Sequence, residues 1–470
     1  MSAGAPRGRV RDEAARAGGQ PDSLLPGALP VDAVGCQRMP QRTLAVGIAV
    51  FASSVAVLAA VEIASPGQRD MIDLQIYRWA GLVAVHSGDL YGSHFSHYNL
   101  PFTYPPMAAL IFAAVSAVPL TVLKWLITVG SVASLTGTVW LTWGMLGYRR
   151  SADRLGAMLA VAGVALWLGP VRQTIGLGQV NLILMLIIMA DLSRPDSARL
   201  KGAGVGLAAG FKLTPLIFIP YLLLTRRFRA ASVSLATFAL TIAGSLILLP
   251  GMSRHFWFTG LFLHSSRTGN RAYVGNQSLN GTLERLLGSA SAAYPYWLVI
   301  SAVVGVTGLA LAALAARRGR ELTGILTCAL TGLLISPVSW AHHWVWAAPA
   351  LVIAADAVIR LRTPVPATPH AARSRRSPDR WPPWRRWLWY TGLVLPVALF
   401  FALPQDLVPG SVLEGTGAHG AQLLTSNLYV IVGLAVLCLA GLHVVPNRTV
   451  PIPLADSRLV SEADQPSPSS

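Results

Sequence analysis

The run LAVGIAVFASSVAVLAAVEIA occupies positions 44–64, and Glu62 is its only charged residue. A helix rises 1.5 Å per residue, so a run of about 20 residues covers the ~30 Å hydrocarbon core of a bilayer. The run therefore predicts a membrane-spanning helix. The stretch that follows, DMIDLQIYRWAGLVAVHSGDLYGSHFSHYNLPFTYPP at 70–106, is rich in carboxylates, histidines and tyrosines. Acid–base residues next to a bilayer suggest chemistry on a lipid-borne substrate.

The composition extends this prediction to the whole chain of 470 residues. Hydrophobic residues make up 53% and charged residues 12%, with a mean hydropathy of +0.53. A water-soluble protein could not bury so much apolar surface, so the sequence predicts an all-α polytopic membrane protein. The net charge of +17 would suggest a nucleic-acid partner in a soluble chain. Here the arginines fall in short segments between apolar runs, which is typical of cytoplasmic loops, and no nucleic-acid partner is expected.

Eleven further apolar runs bring the expected number of crossings to about twelve, several of them short enough to be buried inside a bundle. They lie at 121–146, 155–168, 181–190, 202–211, 213–224, 230–249, 296–316, 322–336, 345–359, 387–402 and 428–442. The membrane domain is expected at 43–446. Residues 1–42 and 447–470 are polar and lack apolar periodicity, which predicts disordered cytoplasmic tails.

Arginine placement gives the expected orientation. The segments at 148–150, 193–194, 225–227 and 317–318 and the long basic loop at 360–386 are predicted to be cytoplasmic. This assignment requires that 106–119 does not cross the membrane. We therefore expect a short helix there, lying at or re-entering the outer face, with Pro105 and Pro106 at its start. Lys212 then lies at the outer tip of two short helices.

This topology places the polar segments together on the extracytoplasmic side. They are 70–104, 172–181, 210–212, 271–280 and 339–343. We expect one shared site, with a catalytic loop at 65–105 after the first helix and a substrate loop at 250–294.

Asp73 and Lys212 are the ionisable residues in the most apolar surroundings. Asp73 lies four residues before Tyr77, so both project from one helix face. A solvated pair with Arg78 or Arg69 is the alternative, but an aspartate within MIDLQIY favours function. Lys212 and Arg172 are both expected to bind a phosphate. The alternative for Lys212 is that its ammonium group extends to the membrane interface.

The remaining candidates are polar or aromatic groups suited to a sugar phosphate. His342 and His343 precede two tryptophans, so an interfacial aromatic belt is an equal alternative to catalysis for this pair. The amide side chains are turn formers or ligands for sugar hydroxyls, and the tyrosines offer rings and hydroxyls to sugar faces. The expected substrate-binding residues are Tyr77, Arg78, Tyr104, Arg172, Gln179, Asn181, Lys212, Asn276, Gln277 and Asn280.

Neither a metal nor a cofactor is expected from the sequence. No glycine-rich phosphate loop joins a strand to a helix, and Asp70 and Asp73 are not spaced as in the carboxylate pairs that hold a divalent ion on a nucleotide sugar. The histidines at 86, 94 and 97 have a weak spacing for metal binding. The three cysteines, Cys36, Cys328 and Cys438, form neither a disulfide framework nor a zinc motif.

Seven separated motifs carry a family resemblance. They are DLQIYR at 73–78, DLY at 89–91, PFTYPP at 101–106, GQVN at 178–181, KLTP at 212–215, NQSLNG at 276–281 and SPVSWAHHW at 336–344. In this order they resemble the polyprenyl-phosphate-mannose-dependent α-(1→2)-mannosyltransferases, glycosyltransferase family 87 of the GT-C fold. The resemblance covers the chain from the first span to His343.

The resemblance implies a GT-C type bundle in the plasma membrane, with the active site facing the extracytoplasmic side. It implies inverting transfer of mannose from a polyprenyl-phosphate donor to a glycolipid or lipoglycan acceptor in cell-envelope biosynthesis. Asp73 matches the catalytic aspartate of the family, and His342 and His343 match its histidine pair. A polyprenyl-phosphate-arabinose-dependent arabinofuranosyltransferase is one alternative. A secondary transporter is the other, because buried ionisable residues also mark transport paths.

Overall fold

The computed structural model describes residues 43–64, 70–95, 99–362, 392, 394–415 and 417–444. Most of these residues are helical. The α-helices are α1 (Thr43–Ala64), α2 (Ile72–Val85), α3 (Pro106–Ala113), α4 (Leu120–Met145), α5 (Ala152–Ala165), α6 (Gly169–Leu177), α7 (Asn181–Leu192), α8 (Ala203–Phe211), α9 (Phe218–Leu224), α10 (Phe228–Leu248), α11 (Pro250–Phe258), α12 (Leu279–Leu287), α13 (Ala290–Arg317), α14 (Glu321–Ile335), α15 (Ala347–Arg362), α16 (Ala421–Thr425) and α17 (Leu428–Val444).

Short elements complete the described part of the chain. Strands β1 (His94–Phe95) and β2 (Leu100–Pro101) pair antiparallel, with His94 opposite Pro101. The 3₁₀ helices are Thr214–Ile217, Leu261–Leu263, Ser265–Thr268, Ala341–Trp346, Pro404–Leu407 and Gly410–Val412.

Five helical segments are long and apolar enough to cross a membrane, and a sixth is possible if the bent pair α5–α6 is one span. The five are α1, α4, α10, α13 and the segment Ala341–Arg360, which contains the start of α15. The chain is thus a polytopic helical membrane protein, as predicted. The expected total of about twelve crossings stays a prediction, as do the domain limits. The predicted tails lie outside the described residues, and so do most of the 360–386 loop and part of the 387–402 run.

Small residues allow α1 and α5 to pack closely. A Cβ atom on Gly47 would collide with the backbone of Gly156, and one on Gly156 would collide with Thr43 and Leu44. Close backbone approach at glycine is the usual basis of helix association in membranes.

The segment after the predicted catalytic loop does not form a long helix. Helix α3 has eight residues and begins at Pro106, whose missing N–H costs nothing at that position. It covers about 12 Å, less than half of the hydrocarbon core. The structure therefore contains the short helix predicted for 106–119, and its place at the outer face stays a prediction.

Helices α7, α8 and α9 are also short. The nine residues of α8 cover about 14 Å and the twelve of α7 about 18 Å, roughly half of the hydrocarbon core. Lys212 lies where α8 ends and the chain turns back through Thr214–Ile217 into α9. The predicted break between two short helices is therefore present at Lys212, and its place at the outer side stays a prediction.

The opposite ends of these helices meet in a polar network. Asp196 pairs with Lys201 at 2.7 Å and with Arg227 at 3.1 Å, and Arg227 also pairs with Glu321 at 2.6 Å. Arg317 donates a hydrogen bond to the backbone oxygen of Leu224. Three of the predicted cytoplasmic basic segments therefore contact one another at one end of the bundle.

Candidate active site

Helix α2 positions Asp73 in its first turn. The helix begins after Met71, which has a left-handed φ of 45°. A carboxylate in the first turn is stabilised by the N-terminal end of the helix dipole. Asp73 and the buried Tyr77 both contact Gln179, which confirms that the two side chains project from one helix face.

Gln179 reaches Asp73 because the chain turns sharply after α6. Gly178 has a φ of 69°, and a Cβ atom there would collide with Leu74 of α2. The side-chain amide of Gln179 then donates to Asp73 Oδ2 at 2.8 Å and to the Tyr104 hydroxyl at 3.2 Å. Its Oε1 accepts from the Tyr77 hydroxyl at 2.6 Å. The amide of Gln179 thus holds the Asp73 carboxylate, and substrate binding by Gln179 stays a prediction.

The half-buried Asp73 carboxyl lies in weakly solvating surroundings. Burial raises its pKa to about 6, while the Gln179 hydrogen bond and the charge of Lys212 oppose this rise. Burial also raises the pKa of Tyr104 to about 12 and that of Tyr77 well above its usual range. At neutral pH, therefore, Asp73 is mainly a carboxylate able to accept a proton, and the two tyrosines are neutral donors.

Lys212 lies near Asp73, since the charge of its ammonium group acts on the Asp73 carboxyl. Its Nζ donates to Asn181 Oδ1 at 3.0 Å and lies 2.8 Å from His343 Nε2 and 5.6 Å from the centre of the Tyr104 ring. Within the described residues it forms no ion pair at salt-bridge distance. Lys212 is half-buried, and burial lowers its pKa to about 7, while the charge of Asp73 opposes this fall. An amine in such surroundings is suited to bind a phosphate, because the phosphate charge favours its protonated form. We call Asp73, Gln179, Asn181, Lys212 and His343 the Lys212 cluster.

The two histidines have different surroundings. The backbone oxygen of His342 accepts from Asn181 Nδ2 at 3.0 Å and from Thr174 Oγ1 at 2.9 Å. His343 directs its ring to Lys212, and the two imidazole centres are 4.7 Å apart. His342 Nε2 and His343 Nδ1 are buried and have no hydrogen-bond partner in the described part of the chain. Thr174, which the sequence analysis did not single out, helps to fix this segment.

A cavity of about 60 Å³ opens beside these groups. Asn181, Lys212, Thr214 and His343 form its polar wall, and the rest of its lining is largely apolar. Its position makes it a place where a charged head group could reach Lys212.

The predicted amide ligands form a separate arrangement. Asn276 Nδ2 donates to the backbone oxygens of Arg271 and Pro337, and its Oδ1 accepts from the Ser339 N–H at 2.9 Å. Asn280 Nδ2 donates to Glu284 Oε1 at 3.1 Å and to the backbone oxygen of Pro337 at 3.2 Å. These bonds hold the 276–280 segment against the residues that lead into His342.

Gln277 and Arg285 extend this network toward α17. Gln277 Nε2 donates to the backbone oxygens of Val274 and Ser426, and its Oε1 accepts from the Tyr429 N–H at 3.0 Å. Arg285 donates to Asn427 Oδ1 at 2.6 Å. We call Asn276, Gln277, Asn280 and Arg285 the amide cluster. Its amide groups are engaged within the protein, so sugar binding by these residues stays a prediction.

The structure does not bring the predicted arginines into contact with Asp73 or Lys212 among the described residues. Arg78 donates to the backbone oxygen of Val118 at 3.2 Å, because it follows Tyr77 by one residue and therefore points about 100° away around α2. Arg172 lies on α6, and its buried Nε has no hydrogen-bond partner in the described part. No group of three or more metal-binding side chains comes together in the described ranges.

Comparison with known proteins gives consistent matches. The model of glycosyltransferase family 87 matches residues 102–337. A Mycobacterium tuberculosis protein, polyprenol-phosphate-mannose-dependent alpha-(1-2)-phosphatidylinositol pentamannoside mannosyltransferase, is 34% identical over 69% of this chain and 75% of its own length. A Mycolicibacterium smegmatis protein of the same name is 35% identical over 61% of this chain and 70% of its own length.

A second kind of relative acts on a related acceptor, according to its name. This Mycobacterium tuberculosis protein, polyprenol-phosphate-mannose-dependent alpha-(1-2)-phosphatidylinositol mannoside mannosyltransferase, is 33% identical over 60% of this chain and 69% of its own length. No solved structure matches the chain.

Proposed function

This chain belongs to glycosyltransferase family 87, and from that premise we propose that it transfers mannose from polyprenyl-phosphate mannose to a phosphatidylinositol mannoside or related lipoglycan. The new linkage is α-1,2, and the anomeric carbon is inverted. The observation that carries this proposal is the Lys212 cluster, in which a proton-accepting carboxylate lies within the electrostatic reach of an ammonium group that has no ion-pair partner among the described residues.

Asp73 is the proposed general base. The acceptor hydroxyl attacks C1 of mannose while its proton passes to Asp73. The bond between C1 and the phosphate oxygen breaks, and its electron pair stays on the phosphate. A positioned base of this kind contributes a factor of about 10² to 10⁴ in rate. The Gln179 amide keeps the carboxylate aimed by occupying Oδ2.

Lys212 and His343 are proposed to bind the phosphate. The negative charge on the phosphate grows as the glycosidic bond breaks, so a fixed cation stabilises the transition state more than the ground state. Lys212 is held by Asn181 and lies against His343, so the position of its ammonium group is fixed by side chains of the protein itself. His342 is proposed to support this arrangement, since its backbone oxygen is fixed by Asn181 and Thr174.

The remaining predicted residues have supporting roles in this proposal. Tyr77 and Tyr104 present hydroxyls and an aromatic ring beside Asp73, which suits a sugar face. Asn276, Gln277 and Asn280 shape the 250–294 loop and hold the segment before His342. Arg172 has an uncommitted Nε within α6 and is proposed to meet a substrate phosphate.

We place the site on the extracytoplasmic side of the plasma membrane. The support is the charge distribution: the basic segments at 193–201, 225–229 and 317–321 contact one another at the end of α7 and α8 opposite Lys212. Basic loops are retained in the cytoplasm, so Lys212 faces a pocket open to the other side.

The decisive experiment supplies the purified full-length protein in liposomes with labelled polyprenyl-phosphate mannose or with the arabinose analogue, together with a phosphatidylinositol mannoside acceptor. We expect labelled acceptor from the mannose donor alone. Transfer from the arabinose donor alone would establish the pentose alternative, and donor translocation without any labelled acceptor would establish a transporter.

Orientation has its own test. A Thr214→Cys variant in a background with Cys36, Cys328 and Cys438 replaced by serine puts one thiol beside Lys212, at an exposed position. We expect a membrane-impermeant maleimide to label it from the outside of intact cells. Labelling only after the cells are opened would reverse the proposed orientation.

A further inference from the structure

A second cavity, of about 240 Å³, lies between α14, α15, α17 and the segment 392–400. Its walls are formed mainly by leucine, isoleucine, valine and aromatic side chains, with Thr323 and Thr327 as the polar exceptions, and no charged side chain lines it in the described part of the chain. Apolar cavities of this kind stay dry and bind apolar ligands. The lining chemistry therefore fits a hydrocarbon chain rather than a sugar or a phosphate.

The cavity is not isolated from the Lys212 cluster. Leu333 and Trp346 line both this cavity and the smaller one that contains Lys212 and His343. The 3₁₀ helix Ala341–Trp346 separates the two spaces: His343 lines the polar side and Trp344 the apolar side. A ligand with a charged head at Lys212 and an apolar tail would meet matching chemistry in both spaces.

Access from the surrounding lipid is also consistent with a chain. Several lining side chains, including Leu326, Leu330, Ile353 and Val436, are only half-buried, so the cavity reaches the surface of the bundle. Neighbouring side chains on the outer face, such as Leu395 (56% exposed) and Ile431 (42% exposed), are apolar. A long chain could therefore enter the cavity near its head group and continue into the bilayer.

We infer that this cavity binds the head-proximal part of the polyprenyl chain of the donor, an inference that rests on the proposed function. The phosphate lies on Lys212 and His343, and the chain passes Leu333 and Trp346 into the space lined by Val436 and Ala440. The cavity then discriminates among donors by chain length, because a short chain fills only part of it.

Filling the cavity tests the inference. Val436→Trp and Ala440→Trp place bulk inside it, and Ile431→Trp adds the same side chain on the outer face of the same helix as a matched control. Mannosyl transfer is measured with the long-chain donor and with geranyl-phosphate mannose. We expect KM for the long-chain donor to rise about tenfold, the change that loss of roughly two buried methylene contacts produces. KM for the geranyl donor should rise by a smaller factor, and Ile431→Trp should behave as the wild type.

A binding measurement separates this inference from the proposed function. Long-chain polyprenyl phosphate without sugar should raise Tm of the wild-type protein but not that of Val436→Trp. If the polyprenyl phosphate raises Tm of the wild type alone while no mannose is transferred, the proposed function fails and the cavity assignment stands. Three results would overturn the assignment: an equal rise in KM for both donors, an unchanged KM for both donors, or equally strong competition by a diacyl phospholipid for binding of the polyprenyl phosphate.

Discussion

The Lys212 cluster and the amide cluster both consist of buried or half-buried polar residues, yet they differ in how their hydrogen-bonding capacity is used. In the amide cluster, Asn276, Gln277 and Asn280 bond to backbone groups of other segments. In the Lys212 cluster, an ammonium group has no carboxylate in contact among the described residues, and His343 Nδ1 has no hydrogen-bond partner there. The polar residues of these clusters therefore fall into two groups. One group holds backbone segments together, and the other keeps hydrogen-bonding capacity with which to bind a ligand.

The sharpest test of this comparison is Asp73→Asn, which is nearly isosteric and removes only the ability to accept a proton. We expect the transfer rate to fall by roughly 10² to 10⁴ while Tm stays unchanged. Asp70→Asn, just before α2, should be milder. Retention of more than about a tenth of the wild-type rate by Asp73→Asn would remove the general-base role.

Lys212→Ala should have the next largest effect on the same cluster. Loss of one fixed charge-stabilising group typically costs about 10² to 10³ in kcat, and donor binding should weaken as well. Lys201→Ala is the matched control, because Lys201 is buried but pairs with Asp196 at the other end of the bundle. We expect that control to lower Tm and to leave the rate per folded molecule unchanged. Equal rate losses in both variants would show that Lys212 acts through stability.

The amide cluster should respond in the opposite way. Gln277→Leu leaves the Ser426 oxygen and the Tyr429 N–H without their partner, so the free energy of unfolding should fall by about 1–3 kcal/mol. The rate per folded molecule should stay close to that of the wild type. Thermal unfolding and transfer assays on the same preparation check both, with the half-buried Gln422→Leu as the control. If Gln277→Leu had the Tm of the wild type and a raised KM for the acceptor, Gln277 would have to be assigned to the substrate-binding site.

The smallest effect is expected at Gln179, and it is visible mainly in the pH profile. Since burial raises the pKa of Asp73 to about 6, the wild-type rate should fall as pH drops through about 6. Gln179→Met removes the hydrogen bond that favours the charged form, so the acid limb should move upward by about one pH unit. The rate well above this limb should change little. An unshifted limb with a uniformly lower rate would show that Gln179 does not act on the ionisation of Asp73.

Local sequence patterns predicted the parts of the structure that depend on neighbouring residues. The spanning helices follow from long apolar runs, the short α3 follows from the charge rule and Pro106, and the shared face of Asp73 and Tyr77 follows from their spacing of four. The break at Lys212 was also visible as a single charge between two apolar runs.

The sequence could not show which distant groups would pair. Gln179 lies 106 positions from Asp73, and their contact depends on how α2 packs against the turn after α6. The hydrogen bonds of Gln277 in the amide cluster depend on Ser426 and Tyr429, which lie about 150 positions further along the chain. The position of Lys212 between two short helices depends on the lengths of α8 and α9, which periodicity does not fix within a turn.

The half-length α7 and α8 have an energetic consequence for a lipid-linked donor. In such a donor the phosphate joins the sugar directly to the hydrocarbon chain. A site level with the membrane surface would draw the first isoprene units out of the bilayer, at about 0.8 kcal/mol for each exposed CH₂ group. Lys212 follows a helix of only nine residues, and we propose that it lies below the membrane surface, so that the phosphate moves down to the ammonium group and the chain keeps its hydrocarbon surroundings. On this proposal the contacts among Lys212, Asn181 and His343 offset the desolvation of one charged group, and the donor is not partly extracted from the membrane.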